Sequence, residues 1–533
     1  MKGIRTVLQR KLTYAVLLLL VGAFVLARKI VLYAADPSGE KACPPLLPSL
    51  PGSSSGQTAF VETVVPASSL LWAQRGGTIN DASCLNTTPV YGIVRIEDEE
   101  ELRDALRYAQ ERKLKVSIAG VKHSMGGHAF ARDALVLDMR TFNKMRLDED
   151  KRVLTVDSGA TWHDIQNFLH PQFAVKAMQS TDIFTVGGSI SVNAHGMDHR
   201  IGALGKTIRS MRIMLPDGSV VLVSKEVNSE LFNLALGGYG LFGIILDAEI
   251  EVAENDIYQS ERRIMDYRAF PTVFREEIAP NEIIGLMYAH LSTAPQSFLR
   301  EMILYTYRKV DAPDAAIPPL GEVGSVKLRR LIFNLAKLGS LPMRLKWFAE
   351  KHLEPLLEQC PVSRNQALVE GEACLVSRNE PMHDSVKYLK NRLPNDTDIL
   401  HEYFIPRDAL VPFIDSVRTI MEEYDVNLLN ASVRVVHKEE NVLTYAPEDM
   451  FSLVLYINQK TDATGNTKMR DVTQQLIDLT IAHGGRFFLP YQLHYTKDQL
   501  AKSYPEIHSF FEAKRRYDPT AMLTNTFYER YGK

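Results

Sequence analysis

The stretch Ile118-Ala-Gly-Val-Lys-His-Ser-Met-Gly-Gly-His128 follows one apolar, strand-like run and precedes another, Ala134-Leu-Val-Leu-Asp138. Small residues between two strands free backbone amides to cradle a diphosphate, and a histidine held among them sits beside whatever that diphosphate belongs to. An FAD-type dinucleotide is the first expectation. One glycine cluster alone is ordinarily a plain turn. A second, Thr185-Val-Gly-Gly-Ser-Ile-Ser-Val-Asn-Ala-His-Gly196, lies downstream of the strand-like Val153-Leu-Thr-Val156. Between them runs the amphipathic stretch Thr161 to Leu169, with Trp162, Ile165, Phe168 and Leu169 at helical spacing. A third cluster is Gly237-Gly-Tyr-Gly-Leu-Phe-Gly-Ile-Ile-Leu246. Three such clusters in one hydrophobically patterned block exceed what turns alone require.

The order, spacing and composition of these segments resemble the vanillyl-alcohol-oxidase superfamily of FAD-binding oxidoreductases. The loop with His123 and Ser124 resembles that family's first phosphate-binding loop. Thr185 to Gly196 is similar to its second flavin-contact segment, and Gly240 to Ile245 to the strand beside the adenine end. The tail Arg516-Tyr-Asp-Pro-Thr-Ala-Met-Leu-Thr-Asn525 resembles the closing segment of sugar and lactone oxidases, where the chain returns to the flavin. The likeness runs from Val90 to the C-terminus and is strongest over Val116 to Val252 and Gly484 to Tyr528. It implies an α+β fold: a two-subdomain PCMH-type FAD-binding domain and an α/β substrate (cap) domain with an antiparallel sheet, to which the sequence itself adds an N-terminal transmembrane helix. The expected divisions are an anchor (1–35), a linker and extension (36–85), the FAD-binding domain (86–253), the cap domain (254–500) and a returning C-terminal segment (501–533).

The anchor is read from the chain itself. Lys2, Arg5, Arg10 and Lys11 precede the apolar run from Leu12 to Ala27, and Arg28 and Lys29 follow it. Sixteen helical residues reach about 24 Å, slightly short of a hydrocarbon core of about 30 Å, a gap that snorkelling cations cover. A signal peptide is the rival reading, but its small-x-small site is poor. The excess of basic residues before the run places the N-terminus inside and the catalytic part on the non-cytoplasmic side. Asp36 to Gln57, rich in Pro, Ser and Gly, reads as a linker. Cys43, Cys84, Cys360 and Cys374 form no metal-type cluster, so no metal is expected; they allow three disulfide pairings, Cys43 with Cys84 and Cys360 with Cys374 among them, or free thiols. A chain of 533 residues, 45% hydrophobic, can bury a large core, and a net charge of −3 supplies no basic footprint for nucleic acid.

Glu97 to Arg112 is read as an amphipathic helix carrying Leu102, Ala105, Leu106 and Ala109, followed by a strand from Lys115 to Ile118. Met211 to Val223 reads as a hairpin turning at Asp217-Gly218. Beyond Ala253, Glu301 to Tyr307, Val433 to Val436 and Phe451 to Ile457 read as strands of a second sheet. Ile405 to Met421 reads as a helix on that sheet, started by Pro406 and Asp408. Lys327 to Lys351 carries seven basic residues against Glu350 alone, interleaved with apolar ones. It is read either as a segment lying on anionic lipid or as a solvated helix over the second domain.

The resemblance also implies roles. Ala119, Gly120, Val121, Lys122, Ser124 and Met125 surround the pyrophosphate and ribityl chain. Gly187, Gly188, Ser189, Asn193 and Gly196 follow the flavin's other side, with Ile245 near the adenine; Asn525 and His195 are further contacts. His123 matches the position that many relatives link covalently to the flavin 8α-carbon, with His128 a weaker candidate. Arg434, an arginine between valines that needs a partner if buried, would bind a substrate oxygen or stabilise the reduced flavin. The base would be His494 or Tyr491. The implied activity is oxidation of a hydroxyl-bearing carbon of an aldonolactone, as in D-arabinono-1,4-lactone oxidases, an alditol or a lipid-linked pentose, with oxygen or a quinone as electron acceptor. A reductase of carbon–carbon double bonds and a non-catalytic flavoprotein binding a membrane partner are the alternatives.

Overall fold

The computed structural model describes residues 21–29, 31, 70–311, 316–322, 326–353, 368–370, 373–386, 393 and 395–533. Most of the expected anchor and the linker, 36–57, lie outside these. Residues 21–29 are helical and exposed. Among the described residues no helix is long and apolar enough to cross a membrane.

Two sheets flank the first two glycine clusters. The first has the order Leu71–Arg75, Gly92–Arg95, Leu135–Asp138, Val116–Ala119, and its last three strands are parallel. Parallel strands need a crossover, and the helix Glu99–Glu111 supplies the one from Gly92–Arg95 to Val116–Ala119, with Leu135–Asp138 between them in the sheet. Asp98 caps that helix by accepting from the Glu100 and Glu101 amides, and Leu102, Ala105, Leu106 and Ala109 are buried. The tail docks on this sheet, where the Val116 amide donates to Met522 O at 2.8 Å and the Thr524 amide to Val116 O at 2.9 Å. A buried pair, Lys514 Nζ on Asp518 Oδ2 at 2.5 Å, sets that turn, because Asp518 also accepts from the Met522 and Leu523 amides.

The second sheet is antiparallel: Val220–Ser224, Ile208–Met214, Ile244–Glu254, Val153–Asp157, Met145–Asp148, with Phe173–Val175 on the far end of Ile244–Glu254. The hairpin forms as the Asp217-Gly218 turn dictates, Gly218 taking φ 84°. Thr161 closes a capping box with Asp164 ahead of the helix Trp162–Leu169. Phe168 departs from its expected place: it is 46% exposed, because the face toward the core is set by Trp162, Ile165 and Leu169.

A nine-stranded antiparallel sheet forms the cap, from Leu368–Glu370 at one edge through Ala373–Ser377, Ile257–Asp266, Glu301–Lys309, Ile284–Leu291, Asn427–Val436, Met450–Lys460 and Asp396–Pro406 to Arg486–Phe487. The expected helix from Ile405 begins later than its start signals imply. Ile405 and Pro406 end an eleven-residue strand, Arg407–Ala409 is a 3-10 turn, and the helix is Leu410–Glu423. Pairing along the whole of Met450–Lys460 holds the strand to Pro406. This helix and Ala463–Ala482 cover one face of the sheet, where Tyr403 meets Phe413 and His401 meets Thr473. The other face meets the FAD-binding domain. Arg378, wholly enclosed, joins the two by donating to Asp198 Oδ2 at 2.5 Å and Lys176 O at 3.1 Å.

Candidate flavin and substrate site

At Gly120 the first loop presses on the second segment. A Cβ there would lie 2.1 Å from Thr185 Oγ1, so only glycine fits. His123 is half-buried, with its ring edge-on to Phe184 at 5.4 Å. The amides of Gly120, Val121, Lys122 and Ser124 find no acceptor among the described residues. Lys122 itself adopts φ 56°, a left-handed bend that turns successive amides to one side. Burial, helped by nearby Arg140 and opposed by Asp138, lowers the Lys122 ammonium pKa, so an anion would be a favourable neighbour for it. The loop ends pinned: the Met125 amide donates to Pro490 O at 2.8 Å, Asn86 and Gln492 donate to Met125 O, and the Gly127 amide donates to Asp81.

The second segment differs from a strand-flanked turn. Val186–Ser191 is a short helix, and its small residues serve close packing. The Gly187 amide donates to Ser158 O at 2.8 Å, and a Cβ there would meet Ser158 Cβ at 2.7 Å. Gly188 packs beside Thr185 Oγ1, and a Cβ on Gly196 would fall 1.8 Å from Met178 O. Ser189 is wholly buried and accepts from Trp162 Nε1 at 2.9 Å. Asn193 donates to Glu439 and accepts from the Gly205 amide. Of this segment, His195 carries an unengaged buried atom. Its Nε2 is 2.5 Å from Glu402 Oε1, while Nδ1 has no partner among the described residues.

Strand alternation gathers the groups expected on the substrate side. Arg434 lies opposite Ser452 in register, and both point to the face that carries Glu402. Glu402 accepts from Ser452 Oγ, and from Tyr491 OH at 3.3 Å. The Arg434 guanidinium stacks over the Tyr288 ring at 5.0 Å. Burial works to raise the Glu402 carboxyl, yet His195, Ser452 and Arg434 together hold it below its ordinary value. Burial, and then the Glu402 charge, drive the Tyr491 phenol far above its ordinary value.

Tyr491 is thus brought together with Arg434, and His494 is not. His494 Nδ1 lies 3.1 Å from Thr473 Oγ1, on the helix-covered face with His401, and burial pushes it down to about 4. Ile245 is buried in the second sheet. Asn525 is the cap of helix Thr526–Tyr531, accepting from the Tyr528 amide and donating to Tyr239 O. His128 is buried beside Phe527 and Tyr239. Glu402 escaped the sequence reading. Its signal is a carboxylate inside Ile399-Leu-His-Glu-Tyr-Phe-Ile405, since an acid buried in a strand this apolar requires partners. Cys84 is disulfide-bonded; Cys43 and Cys360 lie outside the described residues, as does the Cys374 side chain. His163, Glu322 and His383 place donor atoms within 4.8 Å of one another, but the two imidazoles stack at 4.8 Å and both direct Nδ1 at Asp182.

Unengaged amides around a side-chain-free Gly120, a Lys122 ammonium beside them and the orphaned His195 Nδ1 are donors that suit a dinucleotide's diphosphate and a flavin ring. Residues 90–224 match the family model described as FAD binding domain. The decaprenylphosphoryl-beta-D-ribose oxidase of Mycolicibacterium smegmatis is 24% identical over 86% of this chain and 96% of its own length. L-gulonolactone oxidase of Mus musculus (28% identical) and cytokinin dehydrogenase 2 of Arabidopsis thaliana (27%) align over 28% and 32% of this chain, about a third of their own lengths (34% and 35%). Residues 90–224 are thus an FAD-binding domain, and the protein is an FAD-dependent oxidoreductase with FAD as its cofactor.

Proposed function

We propose that the protein oxidises a hydroxyl-bearing carbon of a sugar-like substrate, with a lipid-linked pentose as the favoured class. The observation that carries this is the convergence of Arg434, Glu402 and Tyr491 on the sheet face that meets His195. The alignment along nearly all of a decaprenylphosphoryl-beta-D-ribose oxidase supports the substrate class.

FAD, when bound, supplies the hydride acceptor. The chain supplies orientation and proton management. Arg434 offers a planar pair of donors to a substrate oxygen. His195 and Ser452 occupy Glu402 Oε1, which leaves Oε2 toward Tyr491. The Tyr491 phenol is too weak an acid to ionise alone, so it acts as a relay, its oxygen taking the substrate's hydroxyl proton as its own proton passes to Glu402. His123 would hold the cofactor covalently, and the amides of Gly120, Val121, Lys122 and Ser124 would hold its diphosphate. The basic residues before Leu12 and the Cys84 disulfide support an N-terminal anchor with the catalytic part in an oxidising, non-cytoplasmic compartment.

Anaerobic mixing of the yellow protein with a polyprenylphosphoryl pentose, an aldonolactone, an alditol or a reduced nicotinamide tests the reading. Bleaching of flavin absorbance by the pentose is expected. Bleaching by the nicotinamide alone would replace the oxidase by a double-bond reductase.

A further inference from the structure

Two consecutive helices of the cap, Val326–Ala336 and Ser340–Phe348, have their polarity reversed relative to an ordinary surface helix. Two lysines, one in the turn between the helices and one on the second, point inward: Lys337 Nζ donates to Asp398 at 2.8 Å with 2% of its side chain exposed, and Lys346 Nζ meets Glu350 at 2.7 Å with 4% exposed. Arg330, Asn334, Met343 and Trp347 are buried beneath. Their apolar side chains point outward. Leu328 and Ile332 are spaced by four on the first helix; Leu341, Leu345 and Phe348 form one stripe on the second, and Leu338 joins the two. Among the described residues after Leu70, these six exposed large hydrophobics equal the number scattered over the rest of the protein, so the patch is not background.

We infer that this helical pair is a docking surface for an anionic phospholipid bilayer. Charge favours that occupant: no acidic residue occurs from Val326 to Ala349, and the exposed charges on the face are Lys327 and Arg344. Apolar side chains with flanking cations describe a helix lying in the headgroup region with its apolar face in the acyl boundary. The apolar, basic-flanked run from Leu12 to Ala27 of the same chain suits the same medium.

The surface also roofs the candidate site. Asp398, which holds Lys337, sits four residues before Glu402 on one strand and therefore on the same face. Tyr456, packed against Phe333, is four residues beyond Ser452. His290, beside Trp347, is two residues beyond the Tyr288 that underlies Arg434. A lipid-linked substrate would thus reach Arg434 from beneath the bilayer-seated roof. That clause rests on the proposed substrate class; the docking itself does not.

The test is made on the full-length, flavin-loaded protein in phosphatidylglycerol/phosphatidylcholine vesicles with brominated acyl chains. Leu341→Trp introduces an indole on the roof and Leu222→Trp one on an exposed edge strand of the FAD-binding domain, each read against the background of the native tryptophans. Emission of the first is expected to fall about twofold on bromination, as for a ring roughly 5–10 Å into the acyl boundary, while the second is unchanged. Equal insensitivity of both would overturn the inference, whether the face is then covered by a second copy, by the chain's own N-terminal run or by nothing. Phe348→Trp serves as an independent roof position if Leu341→Trp fails to retain its flavin. Neither result depends on turnover, so loss of the substrate assignment would leave the docking surface standing.

Discussion

His195 Nε2 lies 2.5 Å from Glu402 Oε1, and this buried contact joins the flavin-side segment to the central strands of the cap. The flavin's expected neighbour and the substrate face are therefore one hydrogen-bonded unit. A charge on Glu402 is held by His195, Ser452 and Arg434 together.

Glu402→Gln keeps the shape of the side chain and removes its capacity to take a proton from Tyr491. Flavin content should be retained while the rate of substrate-driven flavin reduction falls by about 10²–10⁴-fold, the range of a lost general base. In the wild type, the acid limb of the reduction rate should lie below the ordinary carboxylate range. Stopped-flow absorbance across pH checks both.

Gly120→Ala should cost about 1–3 kcal/mol and most of the flavin content, because the new methyl meets Thr185 Oγ1 at 2.1 Å. Adding Thr185→Ala removes that oxygen and should restore part of both. Thermal melts and the visible-to-ultraviolet absorbance ratio read the outcome.

Arg378→Met leaves Asp198 buried without its cation at the junction of the two domains. The expected loss is about 3–5 kcal/mol, as for a broken buried pair, measured as a lowered denaturation midpoint. A loss below about 1 kcal/mol would show that the junction does not depend on this pair.

Burial pushes His128 and His401 down to about 3 from an unfolded value near 6.5. Each is neutral in the fold while the unfolded chain gains a proton, so their contribution is complete above pH 6.5 and is lost as pH falls toward about 3. At pH 5 the loss is about 2 kcal/mol for each. His401→Gln should flatten the fall of the melting midpoint between pH 7 and 4.

Denaturing electrophoresis under ultraviolet light after acid treatment should show a fluorescent band in the wild type and none in His123→Ala. A band that persists would move the covalent link to another residue.

Much of this arrangement is local and was legible in the chain. The Asp217-Gly218 turn, the helix over Glu99–Glu111 and the side-chain-free Gly120 each follow from neighbouring residues. What escaped depends on distant partners. Ile405-Pro406 carries helix-start signals, yet pairing with Met450–Lys460 holds it as strand end. Gly187 and Gly196 look like cofactor contacts, but their missing side chains admit Ser158 and Met178 O. His494 and Tyr491 are three residues apart and face opposite sides of the sheet, which no local pattern declares. Glu402 gains its meaning only from His195, 207 positions away.

The most direct measurement is single-turnover flavin reduction by a polyprenylphosphoryl pentose in the wild type and in Arg434→Met, each with its flavin content determined beforehand. Equal, full flavin occupancy with a reduction rate at least about 100-fold slower in the variant is predicted, the scale of a lost charged contact in the transition state. Equal rates in the two proteins, or a wild type that carries no flavin, would contradict the account.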